Sequence, residues 1–126
     1  MEQLNSTAAN ASKFTWVYIL LAIPTYILPY LGSNSVIANV AYLATGGTGI
    51  VLLLLHVGLL VALCVIARAR GQVVGKGWLV TLPVMAAIFD IVPVLNWIPL
   101  VPTLFHVATV VIGASDDRAS PPDVFS

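Results

Sequence analysis

The chain has 126 residues, 60% of them hydrophobic and only 8% charged, with a formal net charge of zero. A soluble domain usually carries about 25% charged residues, so five basic and five acidic side chains cannot coat a water-facing surface of this size. That arithmetic excludes a soluble enzyme and a disordered chain, and the absence of a basic excess excludes a nucleic-acid binder.

Taken in chain order, residues 1–13 are rich in Asn, Ser and Ala and are expected to form a disordered tail. The sequons Asn5-Ser6-Thr7 and Asn10-Ala11-Ser12 within it are read as accidental. A helix crossing about 30 Å of hydrocarbon needs roughly 20 apolar residues, with about 17 as a minimum. Phe14 to Leu31 contains no charge and meets that standard. It is longer than the apolar core of a signal peptide, so it is expected to be a retained span. Val36 to Thr45 is apolar but carries Asn39, Tyr42 and Thr45, and Gly46-Gly47-Thr48-Gly49 follows it. It is either an interfacial helix or an extension of the second span from about residue 36, capped by Ser33, Asn34 or Ser35.

The second span, Ile50 to Ala67, holds His56 as its one polar residue, and its single cysteine, Cys64, has no partner for an internal disulfide. Gly71 to Gly77 resembles a phosphate loop only superficially, because Arg70 stands where the motif needs glycine, and Gly77 followed by Trp78 stands where it needs a hydroxyl and a soluble helix. It reads as a flexible basic loop. Trp78 to Leu95 carries one charge, Asp90, and Trp97 to Gly113 carries none, with His106 near its middle. Together they would span about 54 Å as one helix, so a turn at Asn96 and a tight hairpin are expected. Residues 114–126, with Pro121-Pro122, complete the chain as a second disordered tail.

The expected fold is therefore all-α: a polytopic membrane protein forming a four-helix transmembrane bundle. Every Lys and Arg falls before the first span (Lys13), between the second and third (Arg68, Arg70, Lys76) or after the fourth (Arg118). These segments share one side when four crossings are made, and the positive-inside rule makes both termini cytoplasmic. Short loops and the absence of sorting signals suit a bacterial inner membrane.

Few residues offer chemistry. Asp90 is the one charge inside a span, and an Asp at a helix centre costs about 2.5 to 3.5 kcal/mol on insertion scales, so a partner or a role is required. Counting helical rise, Asp90 and His56 each lie about 10 Å from the outer ends of their helices and can face each other, whereas His106 lies about 15 Å deep. The set could relay protons or cations, fix packing as an interhelical polar pair, or let Asp90 reach the interface. Packing is favoured. His56, His106 and Asp90 are an acceptable ligand set for a metal, but no HxxxH or ExxH spacing accompanies them, so neither a metal nor a cofactor is expected.

Pro93, Pro99 and Pro102 mark a helix break. Pro102 is harmless only if the fourth helix starts near it, which would leave that helix too short to cross. Ile91 to Thr103 is then a re-entrant tip, the alternative to a full hairpin. Arg68, Arg70 and Lys76 are expected to touch lipid headgroups. The leading functional expectation is a non-enzymatic accessory or scaffold subunit, self-associating or bound to a larger membrane complex. The alternatives are a proton- or ion-conducting unit using Asp90 and His56, and a membrane immunity or holin-like protein.

Overall fold

The computed structural model describes residues 1–31, 49–92, 95 and 100–115, and every element among them is helical. In order these are α1 (Glu2–Ala9), α2 (Ala11–Ile27, continued by a 3₁₀ turn at Leu28–Leu31), α3 (Gly49–Val73), a 3₁₀ turn at Gly77–Val80 leading into α4 (Thr81–Ile91), and α5 (Leu100–Ala114). The expected segment 36–45, the Asn96 turn, Pro93, Pro99 and the tail from residue 116 lie outside the described residues.

Side-chain contacts fix the direction of each helix. Phe14 at the start of α2 sits against Gly113 at the end of α5, while Tyr26 near the other end of α2 bonds Thr103 near the start of α5. His56, in the first third of α3, meets Asp90 at the end of α4. Arg70, at the end of α3, reaches Gly113. The four longer helices therefore alternate up and down, with α4 and α5 forming the most extensive pair.

Each helix turns one narrow seam inward. The seam positions are Phe14, Tyr18, Ala22 and Thr25 on α2, and His56, Leu60, Leu63, Ala67 and Arg70 on α3, with Ile66 and Gly71 buried beside them. Pro83 and Ala86 continue the seam on α4, and Pro102, His106, Thr109 and Gly113 supply it on α5. Steps of three and four residues are the spacing by which one stripe of a helix faces its neighbours. The opposite faces carry exposed Trp16, Leu20, Ile23, Leu54, Val61, Val65, Leu104, Val107 and Val111. Polar groups are thus inside and large apolar groups outside.

Among the described residues, one helix is clearly long and apolar enough to cross a membrane: the 24-residue stretch Ile50–Val73. Only 22% of its most apolar 18-residue window is buried, unlike the core helix of a soluble protein. The 17 residues of α2 and its four-residue 3₁₀ turn rise about 33 Å together. By the same measures α4 with its preceding 3₁₀ turn rises about 24 Å, and α5 about 22 Å.

Four expectations change. Residues 2–9 are helical rather than disordered, because Leu4 packs on the core and Ala8, one turn later, is buried. Asn10 ends that helix with extended backbone and caps the next, its Oδ1 accepting from the Lys13 N–H at 3.0 Å. The stretch after Arg70 is an ordered turn rather than a flexible loop. Lys76 N–H donates to the Gly71 carbonyl at 2.7 Å and Gly75 takes φ 71°, the left-handed residue of a Schellman cap. Third, α4 ends at Ile91 and not near residue 95: Val92 precedes a proline and adopts ψ 117°, the extended conformation that such a position favours. Fourth, Pro102 is the third residue of α5 and falls in its first turn, where a missing N–H breaks no helical bond. It therefore does not break the helix.

Two glycines admit close approaches. A Cβ at Gly113 would stand 2.5 Å from the Phe14 ring, and one at Gly71 would stand 2.6 Å from the Lys76 carbonyl oxygen. Gly71→Ala and Gly113→Ala are expected to lower stability by about 1–3 kcal/mol, the usual cost of overpacking. Gly58→Ala, with open space at its Cβ, should be neutral or stabilising. Unfolding of the three variants in detergent checks the ranking.

Candidate functional site

Two polar pairs and one arginine occupy the seam. The first pair is His56 with Asp90, Nε2 and Oδ2 being 2.6 Å apart, with the two side chains 5% and 17% exposed. The seam spacing on α3 points His56 inward, and the early end of α4 leaves Asp90 in its final turn. Whether the proton resides on the imidazole or the carboxyl, one strong hydrogen bond joins α3 to α4. The second pair is Tyr18 with His106, whose hydroxyl and Nδ1 lie 2.8 Å apart. Their rings also pack, with centroids 5.8 Å apart, and Tyr26 adds an edge contact to His106 at 6.3 Å. His106 therefore ties α5 to α2, and its hydrogen-bond partner is Tyr18 rather than Asp90.

The remaining interior hydroxyls turn back to their own helices. Thr25 donates to the Ala22 carbonyl at 2.6 Å and Thr109 to the Phe105 carbonyl at 2.8 Å. Each buried side-chain nitrogen or oxygen among the described residues has a hydrogen-bond partner. Among those residues no three His, Cys, Asp or Glu side chains are assembled to hold a metal ion.

Arg70 corrects the expectation of headgroup contact. It is 0% exposed, and its Nε donates to the Gly113 carbonyl at 2.8 Å. Its Nη1 donates to the carbonyls of Ala8 at 2.9 Å and Ala9 at 3.2 Å. The guanidinium carbon also lies 5.9 Å from the centre of the Phe14 ring, within cation–π range. These carbonyls belong to the last turns of α1 and α5, which no helical N–H can satisfy and where the helix dipole favours a cation. Arg68 is exposed and Lys76 half-buried, so the three basic residues do not act as one surface. The signal was present in the sequence. Residues 56, 60, 63, 67 and 70 form one heptad-like stripe, which includes Arg70 and excludes Arg68.

Two grooves open at the surface. One, of about 510 Å³, runs between α3 and α4 beside Val61, Cys64, Arg68, Val84 and Ile88. The other, of about 310 Å³, lies between α2 and α5 beside Tyr18, Tyr26, Thr103 and His106. In comparisons with known proteins, no family model matches the chain, and no curated protein or solved structure matches it.

Arg70→Ala strips three described carbonyls of their donor, and is expected to cost about 3–5 kcal/mol, as when one partner of a buried charged network is removed. Amide exchange at residues 2–9 should rise together with the loss of global stability. A double-mutant cycle over His56→Ala and Asp90→Ala should return a coupling of about 0.6 to 1.7 kcal/mol, the range measured for polar pairs between membrane helices. Unfolding in mixed micelles measures both.

Proposed function

We propose that this chain is a small integral membrane protein, a four-helix bundle with both termini in the cytoplasm, serving without catalysis as an accessory or scaffold subunit. It self-associates or joins a larger complex, in a bacterial inner membrane on the sequence evidence. The observation that carries this reading is the outward face of α3. That helix is long, apolar and mostly unburied, and Gly58 on its exposed side has no heavy atom within 4 Å of where a Cβ would stand. Ala62, one turn on, completes a small-xxx-small pair, the pattern that lets helix backbones approach closely in lipid. Lys13, Arg68, Arg70 and Lys76 belong to the same end of the described bundle, which suits the positive-inside orientation. The partnered interior polar groups support a packing role for the two histidines.

In a native-detergent extract the wild-type chain should migrate as an assembly larger than its monomer. Gly58→Leu should shift it to the monomer without lowering unfolding stability, because among the described residues open space surrounds the position of its Cβ. A wild-type chain that runs as a strict monomer and copurifies with nothing overturns the proposal.

One observation favours a second reading, a proton or small-ion conductor: the His56–Asp90 contact of 2.6 Å with the carboxylate side chain still 17% exposed. Carboxylate–imidazole pairs are the usual parts of intramembrane relays. On that reading Asp90→Asn and His56→Ala each abolish a flux measured in liposomes while the chain still folds. Absence of flux from the wild type, or flux unchanged from the wild type in both variants, removes it.

A further inference from the structure

We propose that the groove between α3 and α4 binds one anionic glycerophospholipid, its acyl chain along the apolar walls and its phosphate at Arg68. The inference rests on the membrane reading above and extends it to a specific ligand. The walls are Val57, Leu60, Val61, Val84, Ala87 and Ile88 among others, and Arg68 is the one charged residue among the described residues that line it. At about 510 Å³ the groove falls within the size range of sites for a single small ligand.

Its direction matches a lipid. From Val57 to Arg68 the α3 wall rises about 16 Å, close to the 15 Å or so of hydrocarbon in one leaflet of a 30 Å core. Arg68 stands at the end where the other described basic residues gather, so the cation lies at headgroup level on the cytoplasmic side. The leaflet on that side carries the anionic lipids, whose attraction to one Lys or Arg is a local, short-range effect. Arg68 is exposed, whereas Arg70, two residues on, is turned inward and bonded to carbonyls. A chain with its charge at one end and apolar contact along the rest is the complement of an amphiphile with a negative head. A zwitterionic lipid carries the same phosphate, but its choline cation offsets the charge that Arg68 would meet; that lipid and a second copy of this chain each appear as an outcome of the test.

The full-length protein is reconstituted in nanodiscs containing phosphatidylglycerol and phosphatidylcholine, then released for native mass spectrometry. Carbonate extraction of the source membranes is run in parallel. Wild type should retain one phosphatidylglycerol in preference to phosphatidylcholine. Arg68→Gln should weaken that retention about fivefold, the worth of one interfacial cation. Ala87→Leu, which fills the groove, should also release the lipid, and Gly58→Leu, outside the groove, should keep it. Equal retention of the two lipids, an unchanged Arg68→Gln variant, or a second protein copy in place of lipid overturns the proposal while leaving the membrane reading intact. Extraction of the chain by carbonate overturns both.

Discussion

The interaction on which the rest of the structure depends is the burial of Arg70. A guanidinium withdrawn from water is tolerated only where its donors are matched and its charge is balanced. Here the match comes from helix ends. Arg70 sits in the last turn of α3, and its described acceptors are the closing carbonyls of α1 and α5. Three helix C-termini, each with a surplus of negative partial charge, converge on one cation. The same contact explains why residues 2–9 are ordered although their composition is that of a loose tail. It also explains why Gly113 is needed, since its missing side chain makes room for the Phe14 ring that lies over the guanidinium.

Away from that end, the bundle is held in register by hydrogen bonds rather than by apolar contrast. On the membrane reading proposed above, the hydrophobic effect does not drive helices together, so polar pairs and close packing have to specify which faces meet. His56–Asp90 joins α3 to α4, and Tyr18–His106 joins α2 to α5. Phe89 against Phe105, with centroids 6.0 Å apart, seals the α4–α5 contact from within. The outer faces are largely apolar, and their features among the described residues include the open space at Gly58, the groove that ends at Arg68 and the smaller groove between α2 and α5. Gly58 and Arg68 both lie at exposed positions of α3, the longest of the described helices.

Composition and charge made the all-helical character and the order of the apolar segments legible, and helical rise alone put His56 and Asp90 at matching depth. What stayed hidden has a common cause. In a chain apolar on every face, hydrophobic periodicity carries no information, and only the sparse polar residues report which side turns inward. Reading Arg68, Arg70 and Lys76 as one basic surface ignored that two residues along a helix turn the side chain by about 200°. The N-terminal helix was missed because its signal is one short pair, Leu4 and Ala8, among polar neighbours. The early end of α4 was legible in principle, since any residue ahead of a proline is pushed out of helical backbone.

The Arg70 junction also orders events in time. Its acceptors come from far apart in the sequence, the Ala8 carbonyl lying 62 residues before the arginine and the Gly113 carbonyl 43 residues after it. When the arginine leaves the ribosome, the residues of α1 have been made but those of α5 have not. The clasp can close only after the residues of α5 have been made.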